Sequence, residues 1–175
     1  MIEASIPIQL VVTDRQCTAE TIATHNNITL KRIERNSYGK DFDRDTYTCE
    51  VRDALIDHEI DLIAMAGFGT ILNKPIYDDF SNRILNTHPS LLPSFPGWHA
   101  VEEALEYGVK VTGCTVHIAT EEVDAGPILA QESIPVLKDD TKETLHERIK
   151  IAERQLYVDT INKIITTNGQ IERDQ

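Results

Sequence analysis

A proline-rich stretch, LNTHPSLLPSFPG at residues 85–97, constrains this chain more than any other feature. Its three prolines forbid a regular helix and disfavour a central strand, because proline lacks a backbone N–H and fixes φ. We therefore predict a rigid, ordered loop that opens with Asn86, Thr87 and His88. If the backbone is extended there, Asn86 and His88 point the same way, since side chains alternate along an extended chain.

The Asn-x-His pair in this stretch suits acyl transfer. An amide N–H can donate to a developing oxyanion, and an imidazole can carry a proton near neutral pH. The alternative is a loop whose polar side chains cap the neighbouring backbone, and a short motif of this kind carries a high false-positive risk. Both interpretations stay open on these residues alone.

The composition describes an acidic globular chain of 175 residues with a formal net charge of −12 and a sequence pI near 4.8. This length fits one domain, and the negative charge argues against general binding to nucleic acid or anionic membranes. No apolar run approaches the roughly 18 residues of a membrane helix, and no basic region precedes an apolar stretch at the N-terminus. We expect a cytoplasmic protein whose three cysteines are free packing thiols, without a metal site.

Strand-like and helix-like segments alternate along the chain, which predicts an α/β fold with a mainly parallel sheet flanked by helices. Sites in such folds lie beyond the carboxyl ends of the strands, here the loops after Ala66, Leu85 and Ile118. The polar tail at 166–175 is expected to fray. The predicted strands are 7–12, 28–33, 62–66, 83–85, 112–118 and 128–134, and the predicted helices are 18–23, 43–59, 74–79, 98–107 and 141–165.

The run NTHPSLLP at residues 86–93, followed by Phe95, Pro96 and Gly97, resembles the signature of the folate-dependent formyltransferases. The resemblance covers about residues 8–165. The Pro-Gly pair is similar to the purine-pathway members, since methionyl-tRNA formyltransferases carry Arg-Gly there. The resemblance implies a Rossmann-like formyltransferase fold as a single domain over 1–175. It also implies transfer of a formyl group from 10-formyltetrahydrofolate to the amine of 5′-phosphoribosylglycinamide.

The resemblance assigns catalysis to His88, Asn86 and Asp124, the last of which lies in the family's D-x-G-P segment. An aspartate beside the histidine would favour the imidazolium form. His88 would then stabilise an oxyanion and help to transfer a proton, while Asn86 donates to the same oxygen. The substrate's own amine is the nucleophile, so no acyl-enzyme is needed. The other histidines have no comparable setting, and His117 is expected to be a structural, hydrogen-bonded residue.

The resemblance also implies ligand contacts outside the catalytic group. This chain has Gly69-Thr70 where many members carry Met-Arg, so side-chain contacts to folate there are in question while main-chain contacts are not. The implied folate-binding residues are Arg44, Gly69, Thr70, Ile71, Leu72, Asn86 and Asp124, and the implied ribonucleotide-binding residues are Pro89, Lys150 and Glu153.

One part of the family pattern has no counterpart in this sequence. The family begins with a strand and a glycine-rich turn, about G-x-G-S-N, whose N–H groups hold the ribonucleotide phosphate. This chain enters what resembles the family's second strand within its first residues. Three explanations stay open: a shortened chain, a neighbouring chain that fills the gap, or a different mode of phosphate binding.

Two other functions are compatible with the same residues. One is a folate hydrolase or another formyltransferase of this fold, and the other is a folate-binding remnant without activity. In each case the expected partners are small molecules rather than nucleic acid or membrane, and the chain is expected to be a monomer or homodimer.

Overall fold

The structure is a computed structural model that describes residues 1–167, and its contacts divide the chain into two compact units. The first unit is Met1–Arg83, and the second begins at Ile84. The strands are β1 (Leu10–Thr13), β2 (Thr29–Arg32), β3 (Ile63–Ala64), β4 (Ile84–His88), β5 (Val111–Ile118) and β6 (Ile128–Pro135). The helices are α1 (Thr18–His25), α2 (Arg44–Asp57), α3 (Lys74–Asp79), α4 (Ala100–Tyr107) and α5 (Lys142–Thr166), after a short 3₁₀ turn at Ile2–Ala4.

The first unit is built on a parallel pair of strands joined by a helix. β1 pairs with β2 from Leu10↔Thr29 onward, and α1 forms the crossover that parallel strands require. Glu20 on α1 accepts hydrogen bonds from Arg32 on β2 at 2.7 Å and from Thr13 on β1 at 2.8 Å. These two donors hold the pKa of the Glu20 carboxyl below its usual range, so the helix is tied to both strands by a charged group.

Several element boundaries in the first unit differ from the sequence prediction. The predicted buried strand at 62–66 is only two residues long, and its Ala64 is exposed. Cys17, rather than Thr18, occupies the N-cap position of α1. Asp43 lies just outside α2 as its N-cap and accepts from the Thr46 N–H at 3.0 Å. Satisfying that N–H with a side chain explains why the helix begins at Arg44.

The second unit is an antiparallel sheet in the order β4-β5-β6. The α/β class is confirmed, but the sheets are mixed, so the expectation of mainly parallel strands is wrong for this unit. Because β5 runs against β4, Ile118 lies opposite Leu85, so the two strands do not end at the same edge of the sheet, as parallel strands would. Side chains of the two strands meet on the sheet face instead.

Helices cover one face of this sheet around a small apolar core. Cys114 of β5 and Ile134 of β6 pack against Leu145 and Ile149 of α5, with Val101 of α4 beside them. Thr115 and His117 alternate with Cys114 along β5, so they lie on the opposite face.

Capping residues set the start of α5 and the end of α4. Thr141 accepts from the Thr144 N–H at 3.3 Å while the Thr144 hydroxyl accepts from the Thr141 N–H at 2.9 Å, a reciprocal cap that starts α5 where it was predicted. α5 is continuous, and residues 168–175 of the predicted tail lie outside the described residues. Gly108 ends α4 with a φ of 79°, a left-handed conformation that suits glycine.

None of the helices described between residues 1 and 167 combines the length and apolar character that crossing a membrane requires.

Replacing Leu145 with alanine tests the core of the second unit. Leu145 is 0% exposed, so we expect Leu145→Ala to lower the free energy of unfolding by about 2–5 kcal/mol, measured by urea denaturation. Ile151→Ala on the same helix is the matched control, since Ile151 is 68% exposed and its loss should cost no more than about 0.5 kcal/mol. Equal effects of the two changes would contradict this core.

Candidate active site

The end of β4 places two polar side chains on one face of the sheet. Asn86 and His88 are two residues apart on the strand, which ends at His88. They therefore belong to the strand rather than to the loop, which begins at Pro89, although their shared direction is as predicted. Asn86 lies opposite His117 of β5, and His88 lies opposite Thr115. The register of two antiparallel strands thus assembles a cluster of four polar side chains.

The proline-rich loop after β4 is held to the sheet by side chains of β5 and β6. The Thr115 hydroxyl donates to the Ser90 carbonyl at 2.7 Å and accepts from the Leu92 N–H at 3.1 Å. Gln131 of β6 donates to the Leu92 carbonyl at 2.9 Å. Prolines leave the loop few N–H groups of its own, so these side chains supply the bonds that the backbone cannot make internally.

His88 contacts a hydrogen-bond acceptor at each ring nitrogen. Its Nε2 lies 2.7 Å from the Phe95 carbonyl oxygen, and its Nδ1 lies 3.2 Å from Oδ2 of Asp124. A carbonyl oxygen only accepts, so Nε2 must carry a proton. A second proton on Nδ1 completes an ion pair with the carboxylate, and both side chains are almost fully buried, at 5% and 6% exposed. Each ring nitrogen of His88 thus has an acceptor within reach.

Asp124 reaches this histidine from a tight connection between β5 and β6. Asp124 has a φ of 56°, and Oδ2 also accepts from the Gly97 N–H at 2.7 Å. Burial pushes the pKa of Asp124 upward, but the Gly97 N–H and the charge of His88 outweigh it, and the pKa is lowered. A side chain at Gly126 would place its Cβ 1.9 Å from the Ile118 carbonyl oxygen, so only glycine lets the connection turn this closely.

His117 belongs to this cluster, although sequence reasoning treated it as structural. Its Nε2 lies 3.2 Å from Nδ2 of Asn86 and 3.6 Å from Oδ1 of Asp124. Its Nδ1 lies 3.0 Å from the Ile118 carbonyl oxygen. The alternating pattern of β5 was visible in the sequence, but only the pairing of β5 with β4 shows that His117 faces Asn86.

The cluster offers acid–base and hydrogen-bonding chemistry. Together with Asp124 it presents an amide donor, an imidazole and a carboxylate, groups that can stabilise an oxyanion and move a proton. Cys114 lies on the opposite face in the core, where burial raises the pKa of its thiol to about 11, so it does not supply a thiolate.

The predicted ribonucleotide-binding residues lie partly apart from this cluster. Pro89 follows His88 directly. Lys150 pairs with Glu147 on the surface of α5 rather than with Glu153. Glu153 is half-buried and hydrogen-bonds with Thr87, and its burial raises the pKa of its carboxyl. Because Thr87 alternates with Asn86 and His88 on β4, Glu153 contacts the other face of the sheet.

The predicted folate-binding residues of the first unit show two kinds of setting. The Thr70 hydroxyl donates to Asp14 at 3.2 Å and accepts from Arg35 at 3.3 Å, and Thr70 is buried, so its side chain is directed inward. Leu72 is buried as well, whereas Ile71 is exposed and Gly69 is half-buried. Nε of Arg44 is buried without a hydrogen-bond partner among the residues that the structure describes.

Known proteins are similar to this chain over most of its length. The chain is 45% identical over 153 residues to a phosphoribosylglycinamide formyltransferase of Mycobacterium tuberculosis, an alignment that covers 87% of this chain and 70% of that protein. Among solved structures, glycinamide ribonucleotide transformylase 1 from Symbiobacterium toebii matches with a TM-score of 0.84 and 38% identity, over 91% of this chain and 76% of that one.

A more distant solved structure has a different activity in its name. A formyltetrahydrofolate deformylase from Pseudomonas syringae matches with a TM-score of 0.80 and 26% identity, over 88% of this chain and 50% of that one. The sequence profile described as formyl transferase matches residues 3–161, which is most of the chain. The chain therefore belongs to the formyl transferase family.

Proposed function

We propose that this chain transfers a formyl group from 10-formyltetrahydrofolate to the amine of 5′-phosphoribosylglycinamide, a step of purine biosynthesis. The observation that carries the proposal is the buried contact between His88 and Asp124 beside the Asn86 amide. The bacterial relatives named phosphoribosylglycinamide formyltransferase support the choice of substrate.

The proposed roles follow from the geometry of each group. The folate supplies the electrophilic formyl carbon when it is bound. Asn86 donates an N–H to the formyl oxygen as negative charge develops on it. His88 acts on the same region as an imidazolium: its Nε2 is held by the Phe95 carbonyl and its Nδ1 by Asp124, so one N–H has to leave its present acceptor before it can donate to the substrate. Asp124 pairs with the His88 ring 3.2 Å away, and the imidazolium in this pair is the proposed electrostatic catalyst and proton donor.

A single histidine can carry the proton transfers that the reaction requires. A C–N bond forms between the substrate amine and the formyl carbon, and the bond from that carbon to the folate nitrogen breaks. The amine nitrogen loses one proton and the folate nitrogen gains one, so no net proton is consumed. His88 can donate one ring proton once that N–H turns from its present acceptor to the substrate, and it can recover one afterwards, while Asp124 stays ionised.

One observation in the first unit supports a folate ligand there. Arg44 has a buried, unpartnered Nε among the described residues, and a buried donor without an acceptor is costly unless something else satisfies it. We propose that Arg44 contacts the ligand and that the backbone of Gly69, Thr70, Ile71 and Leu72 binds the folate head. Because the Thr70 hydroxyl is already hydrogen-bonded to Asp14 and Arg35, Thr70 would bind the folate through its main-chain atoms.

The proposed ribonucleotide contacts are Pro89, Lys150 and Glu153. Pro89 is supported by its place directly after His88. Glu153 is supported by its half-buried carboxyl with a raised pKa, a perturbation that is common at functional sites. Lys150 is supported only by its place one turn away on α5.

The remaining expectations belong to the same proposal. We infer one formyltransferase domain that acts in the cytoplasm on small molecules, as a monomer or homodimer. The net charge of −12 supports the inference that nucleic acid and anionic membranes are not its partners.

A second candidate function is hydrolysis of 10-formyltetrahydrofolate. The likeness to a deformylase structure favours it, because water could replace the amine as nucleophile in the same cluster. Release of formate in the absence of the amine substrate would support hydrolysis, and transfer only when the amine is present would support the first function. Tight folate binding with neither product would indicate a silent binding protein.

Replacing His88 tests the proposed catalytic group. We expect His88→Ala to abolish formyl transfer to 5′-phosphoribosylglycinamide, measured by the absorbance change of the folate product, while the protein stays folded. His99→Ala is the matched control, because His99 is an exposed histidine that pairs with Glu102 and should leave turnover unchanged. Near wild-type turnover of His88→Ala would refute the assignment.

Replacing Asp124 with asparagine tests the ion pair through pH. The pKa of Asp124 is lowered on folding from an ordinary value of 3.8, so its carboxylate stabilises the fold above that pH, and this stabilisation is lost as the pH falls through the lower folded pKa. We expect the stability gap between wild type and Asp124→Asn, measured by urea unfolding, to be constant near neutral pH. It should shrink below about pH 4. A gap that does not change with pH would contradict the ion pair.

A further inference from the structure

His117 contacts two of the three residues to which we assign catalysis, yet the proposed mechanism gives it no role. We propose that His117 is a positioning residue for Asn86: its unprotonated Nε2 accepts one amide N–H and so fixes which end of the amide faces the reacting carbonyl. This inference rests on the proposed function, because it concerns how the oxyanion donor is held.

The tautomer of His117 follows from its own hydrogen bond. Nδ1 lies 3.0 Å from the Ile118 carbonyl oxygen, which can only accept, so Nδ1 carries the proton. In the neutral ring, Nε2 then has a lone pair and no proton. This nitrogen is an acceptor, and it faces Nδ2 of Asn86 at 3.2 Å.

The orientation of Asn86 follows from that acceptor. An amide oxygen facing the Nε2 lone pair would be repelled, whereas an amide N–H is bound, so the ring selects the amide nitrogen. Asn86 has two N–H groups on Nδ2, and His117 takes one of them. The second N–H points away from the ring, and since Asn86 is only half-buried, we infer that this is the donor that meets the ligand. An Asn86 amide turned the other way would present its oxygen to a developing oxyanion and oppose the reaction.

The tautomer of His117 matters because the carboxylate of Asp124 lies near its Nε2. Nε2 of His117 lies 3.6 Å from Oδ1 of Asp124, beyond hydrogen-bond distance. A proton on Nε2 would turn the ring into a donor toward this carboxylate and remove the acceptor from Asn86. The Ile118 carbonyl keeps the proton on Nδ1 of His117 instead. The charge of Asp124 is balanced by the ion pair with His88 and by the Gly97 N–H. Asp124 is thus satisfied without a proton from His117, which leaves Nε2 of His117 as the acceptor for Asn86.

A purely structural role for His117 makes a different prediction. The ring is 1% exposed, so any substitution that leaves a cavity will destabilise the protein whatever its function. A packing role is served by a side chain of similar bulk without an acceptor. A positioning role needs an acceptor at the place of Nε2.

Two substitutions separate these roles. Glutamine can place its amide oxygen near the position of Nε2, whereas leucine supplies bulk without an acceptor. We expect His117→Leu to lower kcat by up to about 10²–10³, the effect of losing one oxyanion donor, with little change in KM. His117→Gln should recover most of the loss. His146→Leu on α5 is the control, because it removes another partly buried imidazole. Wild-type kcat in His117→Leu would overturn the proposal.

A double-mutant cycle tests whether His117 acts through Asn86. In an Asn86→Ala background the amide is absent, so adding His117→Leu should lower kcat no more than about threefold further. Independent, multiplying losses would overturn the proposal.

Nitrogen-15 NMR of the histidine rings gives a readout that does not depend on turnover. We expect His117 to carry its proton on Nδ1 at neutral pH and the side-chain amide resonance of Asn86 to move in His117→Leu. A proton on Nε2, or an unmoved Asn86 resonance, would overturn the proposal. If the wild-type chain transfers no formyl group, the proposed function fails, while the NMR result still decides the role of His117.

Discussion

The contact between His88 and Asp124 is the interaction on which the rest of the site depends. Both side chains are almost fully buried, and an isolated charge in such a place would be strongly unfavourable. Each is therefore held by backbone groups of the same loop: the Phe95 carbonyl binds His88, and the Gly97 N–H binds Asp124. The loop is in this sense part of the ion pair, which explains why it has to be rigid.

The rigidity of the loop comes from its neighbours as much as from its prolines. Prolines limit the conformations of the chain but remove N–H donors, so the loop depends on side chains outside it. Thr115 and Gln131 provide these bonds from two adjacent strands. The antiparallel pairing of β4 with β5 therefore serves two purposes, since it brings His117 to Asn86 and also brings Thr115 beneath the loop.

Much of the local structure could be predicted from sequence, because near neighbours determine it. Thr141 as the cap of α5 and Gly108 as the end of α4 follow from side-chain bonds and backbone freedom within a few residues. The common direction of Asn86 and His88 follows from strand alternation. The strand at β3 was predicted too long, because an apolar run is compatible with several burial states. Helix α2 begins one residue later than predicted, because Asp43 is its N-cap.

The residue chemistry around 85–97, the acidic composition and the family resemblance were all available from the order of amino acids alone. The tertiary structure was needed for the direction of β5 against β4, which sequence reasoning took as mainly parallel. That direction depends on contacts between residues about thirty positions apart, which no local pattern encodes. It decides that His117 faces Asn86, that Glu153 meets the opposite face of β4, and that Asp124 returns to His88 through a turn only glycine permits.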